Sequence, residues 1–276
     1  MKVIYVPKGR AREYSPLAAN LYSGCSHGCK YCYGPATLRM HREDYVGAEA
    51  PRPGVIEAFL KDAEKLDGRE QVLLSFLGDP YCPAEEEHRL TRQALEICLE
   101  YRIPVAILTK GGERCLQDLD LFRAFGPHIK VGQSLTFADP MSSRNWEPGA
   151  ALPEERLKTF EALHINHVPT WASMEPVIYP NQSLALIRAS LPFVGEYRLG
   201  KVNHDPTLEN INDWRGYLEE ALFILRPEGK NIYVKHDLKE AGGQMLLWTV
   251  GDRSSDWNNA KPWTVRELAL PGKDKE

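Results

Sequence analysis

Six apolar runs of four to eight residues recur along the chain, at 71–77, 104–109, 129–136, 168–174, 197–202 and 231–234. Amphipathic stretches at 83–101, 113–125, 153–164, 181–191 and 208–225 separate them. The first of these carries Leu90, Ala94, Leu95, Ile97 and Cys98, and the second Leu116, Leu119, Phe122 and Phe125, all at helical spacing. Strands that alternate with helices of this length form βαβ units and a parallel sheet. Six or seven such units curl into a full or partial barrel whose functional groups sit on the loops after the strands. Gly78–Asp79, Thr109–Lys110, Ser134, Glu175 and Lys201–Asn203 all follow apolar runs, as that rule requires. The expected fold is therefore α/β, a partial (β/α)6 barrel of the TIM type over residues 1–240. Residues 241–276 break the alternation. Trp248, Trp257 and Trp263 lie there in an irregular polar stretch, read as a C-terminal extension that serves as a lid or a packing tail.

The chain has 276 residues, 43% of them hydrophobic and 26% charged, as in ordinary globular proteins. It has no run approaching the roughly 18 apolar residues of a membrane helix. Residues 1–16 carry Lys2, Lys8, Arg10, Arg12 and Glu13 without an apolar core, unlike a signal peptide, so a cytoplasmic location and no membrane partner are expected. The formal charge of −4 disfavours a dedicated nucleic-acid binder, which needs clustered basic residues. Residues 1–44 nevertheless hold seven basic against three acidic residues, an excess of +4 that leaves −8 in the remainder.

Three of the six cysteines fall within eight residues, in the order Cys25-Ser-His-Gly-Cys29-Lys-Tyr-Cys32. Such clustering points to metal rather than to a disulfide framework. Closely spaced thiolates on one loop can wrap an iron–sulfur cluster. Three ligands on a [4Fe–4S] cube leave one iron open to a further ligand, as an open position marks a catalytic zinc site. Gly24, Gly28 and Gly34 let the loop turn tightly around a bulky group. Two alternatives stand beside this reading. A zinc knuckle could use Cys29, Cys32 and His27 or His41, although the distant second pair of such modules is missing. A dithiol redox motif has no role for the third cysteine.

The spacing Cys25-x3-Cys29-x2-Cys32, with Tyr31 before the last cysteine, resembles the signature of the radical S-adenosylmethionine (SAM) superfamily. The wider string from Asn20 to Tyr33 is similar to the branch that includes spore photoproduct lyase. So are Gly78-Asp79-Pro80-Tyr81, Ile107-Leu108-Thr109-Lys110 and Ala172-Ser173-Met174-Glu175-Pro176. The resemblance covers about residues 14–240. It implies a [4Fe–4S] cluster on Cys25, Cys29 and Cys32, with SAM chelating the fourth iron. It also implies an electron donor such as flavodoxin or ferredoxin, and reductive cleavage of SAM to a 5′-deoxyadenosyl radical that takes hydrogen from a substrate. By position, Tyr31 lies near the adenine, Gly78 and Asp79 meet the SAM amino group, and Lys110 pairs with its carboxylate. Ser134 and Glu175 are candidates for ribose or methionine contacts.

The sequence departs from the lyase pattern at 75–78, where the hydrogen-donating cysteine of that branch has no counterpart. Cys82 follows a few residues later, as a substitute donor or as a small buried thiol. Tyr31 and Tyr33 match tyrosines of the lyase's radical relay, so Tyr33 and Cys82 are the catalytic candidates. Cys98 and Cys115 are expected in the core, and no second cysteine cluster marks an auxiliary centre. Two rival functions follow. A DNA-lesion lyase needs a basic groove, against which the acidic balance and the missing cysteine both count. A non-catalytic metal-binding interaction protein needs no residues at the strand ends for a cofactor.

Overall fold

A computed structural model of the chain describes residues 1–203, 205–211 and 213–242. Nine strands are formed: β1 (Leu17–Ala19), β2 (Tyr22–Ser23), β3 (Ala50–Pro51), β4 (Val72–Leu74), β5 (Val105–Thr109), β6 (Ile129–Ser134), β7 (Thr170–Met174), β8 (Glu196–Leu199) and β9 (Asn231–Val234). Seven of them make one sheet in the order β1-β4-β5-β6-β7-β8-β9, and every neighbouring pair is parallel. Among the described residues β1 and β9 end the sheet, with only a single antiparallel bridge from Tyr5 to Ala18 outside β1, so the sheet is an open, partial barrel. Because all seven strands run the same way, their C-terminal ends share one edge. β2 and β3 form a small antiparallel pair beside that edge.

The six apolar runs became six of the seven sheet strands. The seventh, β1, is three residues long, too short to show a period, and follows a 3₁₀ turn at Gly9–Glu13. Two expected helices are interrupted. The stretch 83–101 divides into Glu85–His88 and Leu90–Glu100, with Arg89 at φ 51° between them. The break has a local cause: the buried Glu85 carboxylate accepts from the backbone N–H groups of Thr91 and Arg92, capping the second helix with its own side chain. The stretch 208–225 divides into Pro206–Ile211 and Trp214–Leu225, where Asp213 caps by accepting from Gly216 N at 2.9 Å. Residues 113–125 begin as a 3₁₀ turn, Gly112–Asp118, before the helix Leu119–Phe125. The expected C-terminal extension, with its three tryptophans, lies outside the described residues beyond Gly242. Among those described, no helix is long and apolar enough to cross a membrane.

Side chains on the strands alternate between two cores. Val72, Leu74, Val105, Ile107, Ile129 and Val131 face the helices in the larger one. Ala18, Leu73, Ala106, Trp171 and Tyr14 fill the inside of the barrel. The inward residues are small wherever Trp171 needs room. A Cβ on Gly132 would lie 2.4 Å from the indole of Trp171, whose Nε1 donates to Ile107 O at 3.0 Å. Below Trp171, Lys130 and Glu196 pair at 2.8 Å and Arg198 donates to Glu196 at 2.8 Å, all nearly inaccessible to solvent. Gly132→Ala is expected to destabilise the chain by about 1–3 kcal/mol through overpacking, read as a lower urea midpoint with unchanged slope.

Candidate functional site

The cysteine loop is laid across the C-terminal edge of the sheet by backbone ties. Cys25 N–H donates to Tyr45 O at 3.0 Å, and Gly47 N–H donates to Cys25 O at 3.2 Å. Cys32 N–H donates to Cys29 O at 3.0 Å, while Gly34 N–H points at Cys32 Sγ from 3.4 Å. Arg42 covers the outer side, donating to the carbonyls of Gly28 and Cys29. Gly24 takes φ +71°, and a Cβ there would sit 2.4 Å from Ala48 O, so only glycine permits this approach. Cys29 is buried, and Cys25 and Cys32 are half-buried. Burial pushes the Cys29 thiol up to about 11 against the pull of Lys110, and burial followed by Asp79 pushes Cys25 up. Thiols so placed lose their protons when a bound cation displaces them rather than by ionising alone.

Thiolate donors suit zinc and iron–sulfur centres alike. A single zinc ion holds its thiolates about 2.3 Å from one centre, which draws the sulfurs together. Among the described residues, the one set of three ligating atoms mutually within 4.8 Å is His236, Asp237 and Glu240 on the surface, where Arg10 already pairs with Asp237 at 2.7 Å. The cysteine sulfurs do not converge in this way. Three cysteines spread along one glycine-bearing loop fit a multinuclear cluster.

Asp79 and Lys110 stand beside this loop. Both oxygens of Asp79 are occupied: Oδ1 accepts from Thr109 Oγ1 at 2.5 Å and Tyr81 N at 2.9 Å, and Oδ2 accepts from Lys110 N at 2.8 Å and faces His27 Nδ1 at 3.5 Å. Asp79 thus holds the residues around it in place, and what its loop offers outward is backbone. Gly78 adopts φ +78° with its N–H on Tyr45 Oη at 3.0 Å, and a Cβ there would meet Gly24 O at 3.1 Å. Lys110 Nζ has no hydrogen-bond or ion-pair partner among the described residues. It lies 5.6 Å from the centre of the Tyr31 ring, a half-buried cation at the strand edge.

Behind Tyr31 is a buried ion pair that periodicity and spacing do not reveal. Tyr31 donates to Glu147, and Arg156 donates to Glu147 at 2.5 Å, to Ser134 O at 2.7 Å and to Ala151 O at 2.9 Å. Burial alone would raise Glu147, but Arg156, Lys110 and the Tyr31 hydrogen bond outweigh it and hold the carboxyl below its ordinary range. Ser134 enters this set through its carbonyl. In sequence Arg156 is one more charge on a helix, beside Glu154 and Glu155.

Glu175 belongs to a second group at the ends of β7 and β9. Its Oε2 accepts from Tyr14 Oη and from Lys235 Nζ, each at 2.5 Å, and Tyr14 Oη also meets Ser173 Oγ at 3.0 Å. Among the described residues its Oε1 has only Asn203, at 3.4 Å. Tyr14 precedes the short strand β1, where no period marks it, whereas Lys235 directly follows the run at 231–234 and the strand-end rule could have found it. Tyr33 lies between the two groups, 47% exposed, and donates to Phe76 O at 3.0 Å. Its phenol is held protonated by its packing, by Cys32 and by Glu175. Cys82 is 1% exposed and sits in the larger core, where burial, then Glu49 and Asp79, push its thiol up to about 12. Cys98 and Cys115 are fully buried, and all six cysteines are free.

Residues 19–191 match the family model described as the Radical SAM superfamily. An uncharacterised protein of Methanocaldococcus jannaschii is 27% identical over 203 residues, which cover 73% of this chain and 74% of the relative. An uncharacterised protein of Mycobacterium tuberculosis is 28% identical over 181 residues, 63% of this chain and 52% of its own length. Among solved structures, spore photoproduct lyase complexed with dinucleoside spore photoproduct is similar at a TM-score of 0.62 and 13% identity, over 83% of this chain and 78% of that one. SuiB of Streptococcus suis bound to S-adenosylmethionine is similar at a TM-score of 0.58 and 12% identity, over 81% of this chain and 48% of its own. The chain thus spans about half the length of SuiB and of the mycobacterial relative. At these identities the structural likeness is one of fold.

Arg156→Met strands the Glu147 carboxylate in the interior and is expected to cost about 3–5 kcal/mol, the range for breaking one side of a buried pair. Glu147 is depressed in the folded chain, so its contribution is present above the unfolded carboxylate range and is lost as pH falls through its folded value. The difference between wild type and variant, measured by urea denaturation, should therefore narrow in acid.

Proposed function

The chain belongs to the radical SAM superfamily, and from that premise we propose that Cys25, Cys29 and Cys32 hold one [4Fe–4S] cluster that serves reductive cleavage of S-adenosylmethionine. When bound, cluster and cofactor supply a 5′-deoxyadenosyl radical that abstracts hydrogen from a substrate. The observation that supports this reading most directly is the pairing of two features at one edge of the sheet. Three cysteines lie on one tightly turned loop, and the unpaired cation of Lys110 lies beside it.

The residues divide the work by their chemistry. The thiolates of the loop bind iron. Lys110 offers a charged donor for the carboxylate of SAM, and Tyr31, pinned by Glu147, presents its ring next to that cation. The loop at Gly78, held down by Asn20 Oδ1 accepting from Phe76 N and Leu77 N at 2.9 Å each, offers backbone carbonyls to an ammonium group. Glu175 Oε1, little used by the protein, suits a hydroxyl of the ribose. Its charge is already balanced by Lys235, so it favours a neutral donor. Tyr33 stands exposed between these groups and is the candidate for contact with the substrate. The electron donor is a flavodoxin- or ferredoxin-like carrier.

Anaerobic reconstitution with iron and sulfide tests the reading. The wild-type chain should take up one cluster and yield 5′-deoxyadenosine from SAM and a reductant. Cys25→Ala, Cys29→Ala and Cys32→Ala should each lose the cluster, because two thiolates cannot retain the cube. Stoichiometric zinc without sulfide-dependent absorbance would refute the assignment. Lys110→Ala should keep the cluster and weaken SAM binding by about 1.5–3 kcal/mol, the worth of a charged hydrogen bond; unchanged affinity removes Lys110 from the site. Cys82→Ala should leave 5′-deoxyadenosine formation near the parental rate, since SAM cleavage uses no thiol, and any effect should fall on the substrate-derived product. Loss of both cluster and cleavage in that variant would make Cys82 a ligand or a core support.

A further inference from the structure

His27 stands between Cys25 and Cys29 and is 2% exposed, yet the chemistry proposed above gives it no part. Arg114 Nη2 lies 3.0 Å from its Nε2, and Asp79 Oδ2 lies 3.5 Å from its Nδ1. A guanidinium can only donate, so Nε2 accepts, and the single proton of the neutral ring is on Nδ1, facing the carboxylate. Both flanking groups are themselves fixed. Arg114 Nε donates to Tyr81 O at 2.8 Å, and Asp79 is bound to Thr109, Tyr81 and the backbone of Lys110. The imidazole is thereby hydrogen-bonded at Nε2 to the 3₁₀ turn after β5 and faces the loop after β4 at Nδ1.

We infer that His27 is a positioning residue: its two ring contacts set the Cys25–Cys29 span against the end of β5 and so place the cysteine sulfurs relative to Lys110. The inference rests on the reading of the three cysteines as a cluster site. Between Cys25 and Cys29 the other two residues give the loop no side-chain anchor. Ser26 Oγ is buried without a partner, and Gly28 has no side chain and a φ of +61°. His27 is thus the one side chain of that span tied to the barrel. Outer groups that hold a ligand loop in register are part of a metal site even though they touch no metal.

Two substitutions separate hydrogen bonding from volume. A glutamine amide presents an acceptor and a donor side by side, so His27→Gln can still accept from Arg114 and donate to Asp79. His27→Leu fills a similar space and does neither. The full chain is titrated anaerobically with iron and sulfide as wild type, His27→Gln and His27→Leu. Bound iron and sulfide are measured, together with the electron paramagnetic resonance of the reduced cluster with and without SAM. His27→Gln should follow the wild type. His27→Leu should need about 10- to 100-fold more iron and sulfide for half occupancy, the usual cost of losing an outer partner of a metal site. It should also lose the spectral change on adding SAM. Wild-type behaviour of the leucine variant overturns the inference, as does a glutamine variant no better than leucine. If the leucine variant gives no soluble chain, Arg114→Met removes the same hydrogen bond from outside the loop, and an unchanged titration there overturns it equally. A wild-type chain that takes up no cluster refutes the cysteine assignment itself, a result distinct from either.

Discussion

The carboxylate of Asp79 joins the three pieces from which the site is assembled. It stands at the end of β4, accepts from the hydroxyl of Thr109 and the backbone of Lys110 at the end of β5, and faces His27 in the cysteine loop. A buried carboxylate with this many donors stays where it is put, because any movement would leave an acceptor unsatisfied at a cost of about 1–3 kcal/mol. The cysteine loop has little secondary structure of its own, so its position depends on such side-chain contacts. Lys110 is placed by the same group through its backbone, and among the described residues its ammonium has no hydrogen-bond or ion-pair partner, only the nearby ring of Tyr31.

The barrel interior shows the same economy with buried charge. Lys130, Glu196 and Arg198 are packed beneath Trp171, and Glu147 with Arg156 behind Tyr31. An unpaired charge in either place would be expensive, and pairing removes most of that cost without adding much stability. What pairing adds is geometry. Arg156 fixes Glu147, Glu147 fixes the Tyr31 phenol, and the ring of Tyr31 then lies beside Lys110. Along the opposite side, Arg198 donates to the carbonyls of Glu13 and Tyr14, and Tyr14 in turn meets Glu175. Charges that look unrelated in the sequence are thus the supports of residues at the open edge.

The relatives put this arrangement in proportion. Spore photoproduct lyase and SuiB share the fold with the chain at 12–14% identity; solved structures of both hold S-adenosylmethionine, one with a dinucleoside spore photoproduct and the other, in a separate structure, with a precursor peptide. A common barrel is compatible with many reactions, because function resides in the site and the loops grafted on the fold. Here the group around Glu175, Tyr14 and Lys235 and the exposed ring of Tyr33 are the features of this chain that face the mouth.

The alternation of apolar runs and amphipathic stretches determined the α/β class and six of seven sheet strands, because backbone pairing and helix formation leave their periods in neighbouring residues. The spacing of Cys25, Cys29 and Cys32 marked the loop in the same local way, and the rule that polar residues after parallel strands share one edge picked out Asp79, Lys110 and Glu175. Interruptions at Arg89 and before Trp214 were not legible, since they depend on which side chain caps which helix. The tertiary structure decided what those edge residues do. It used up both oxygens of Asp79, left the ammonium of Lys110 open, paired Glu175 with Lys235 and sank Cys82 into the core. Arg114 reaches His27 across 87 positions, Tyr31 reaches Glu147 across 116, and Tyr14 reaches Glu175 across 161. No local pattern encodes contacts over such separations; they exist only once the sheet has curled and brought its strand ends together.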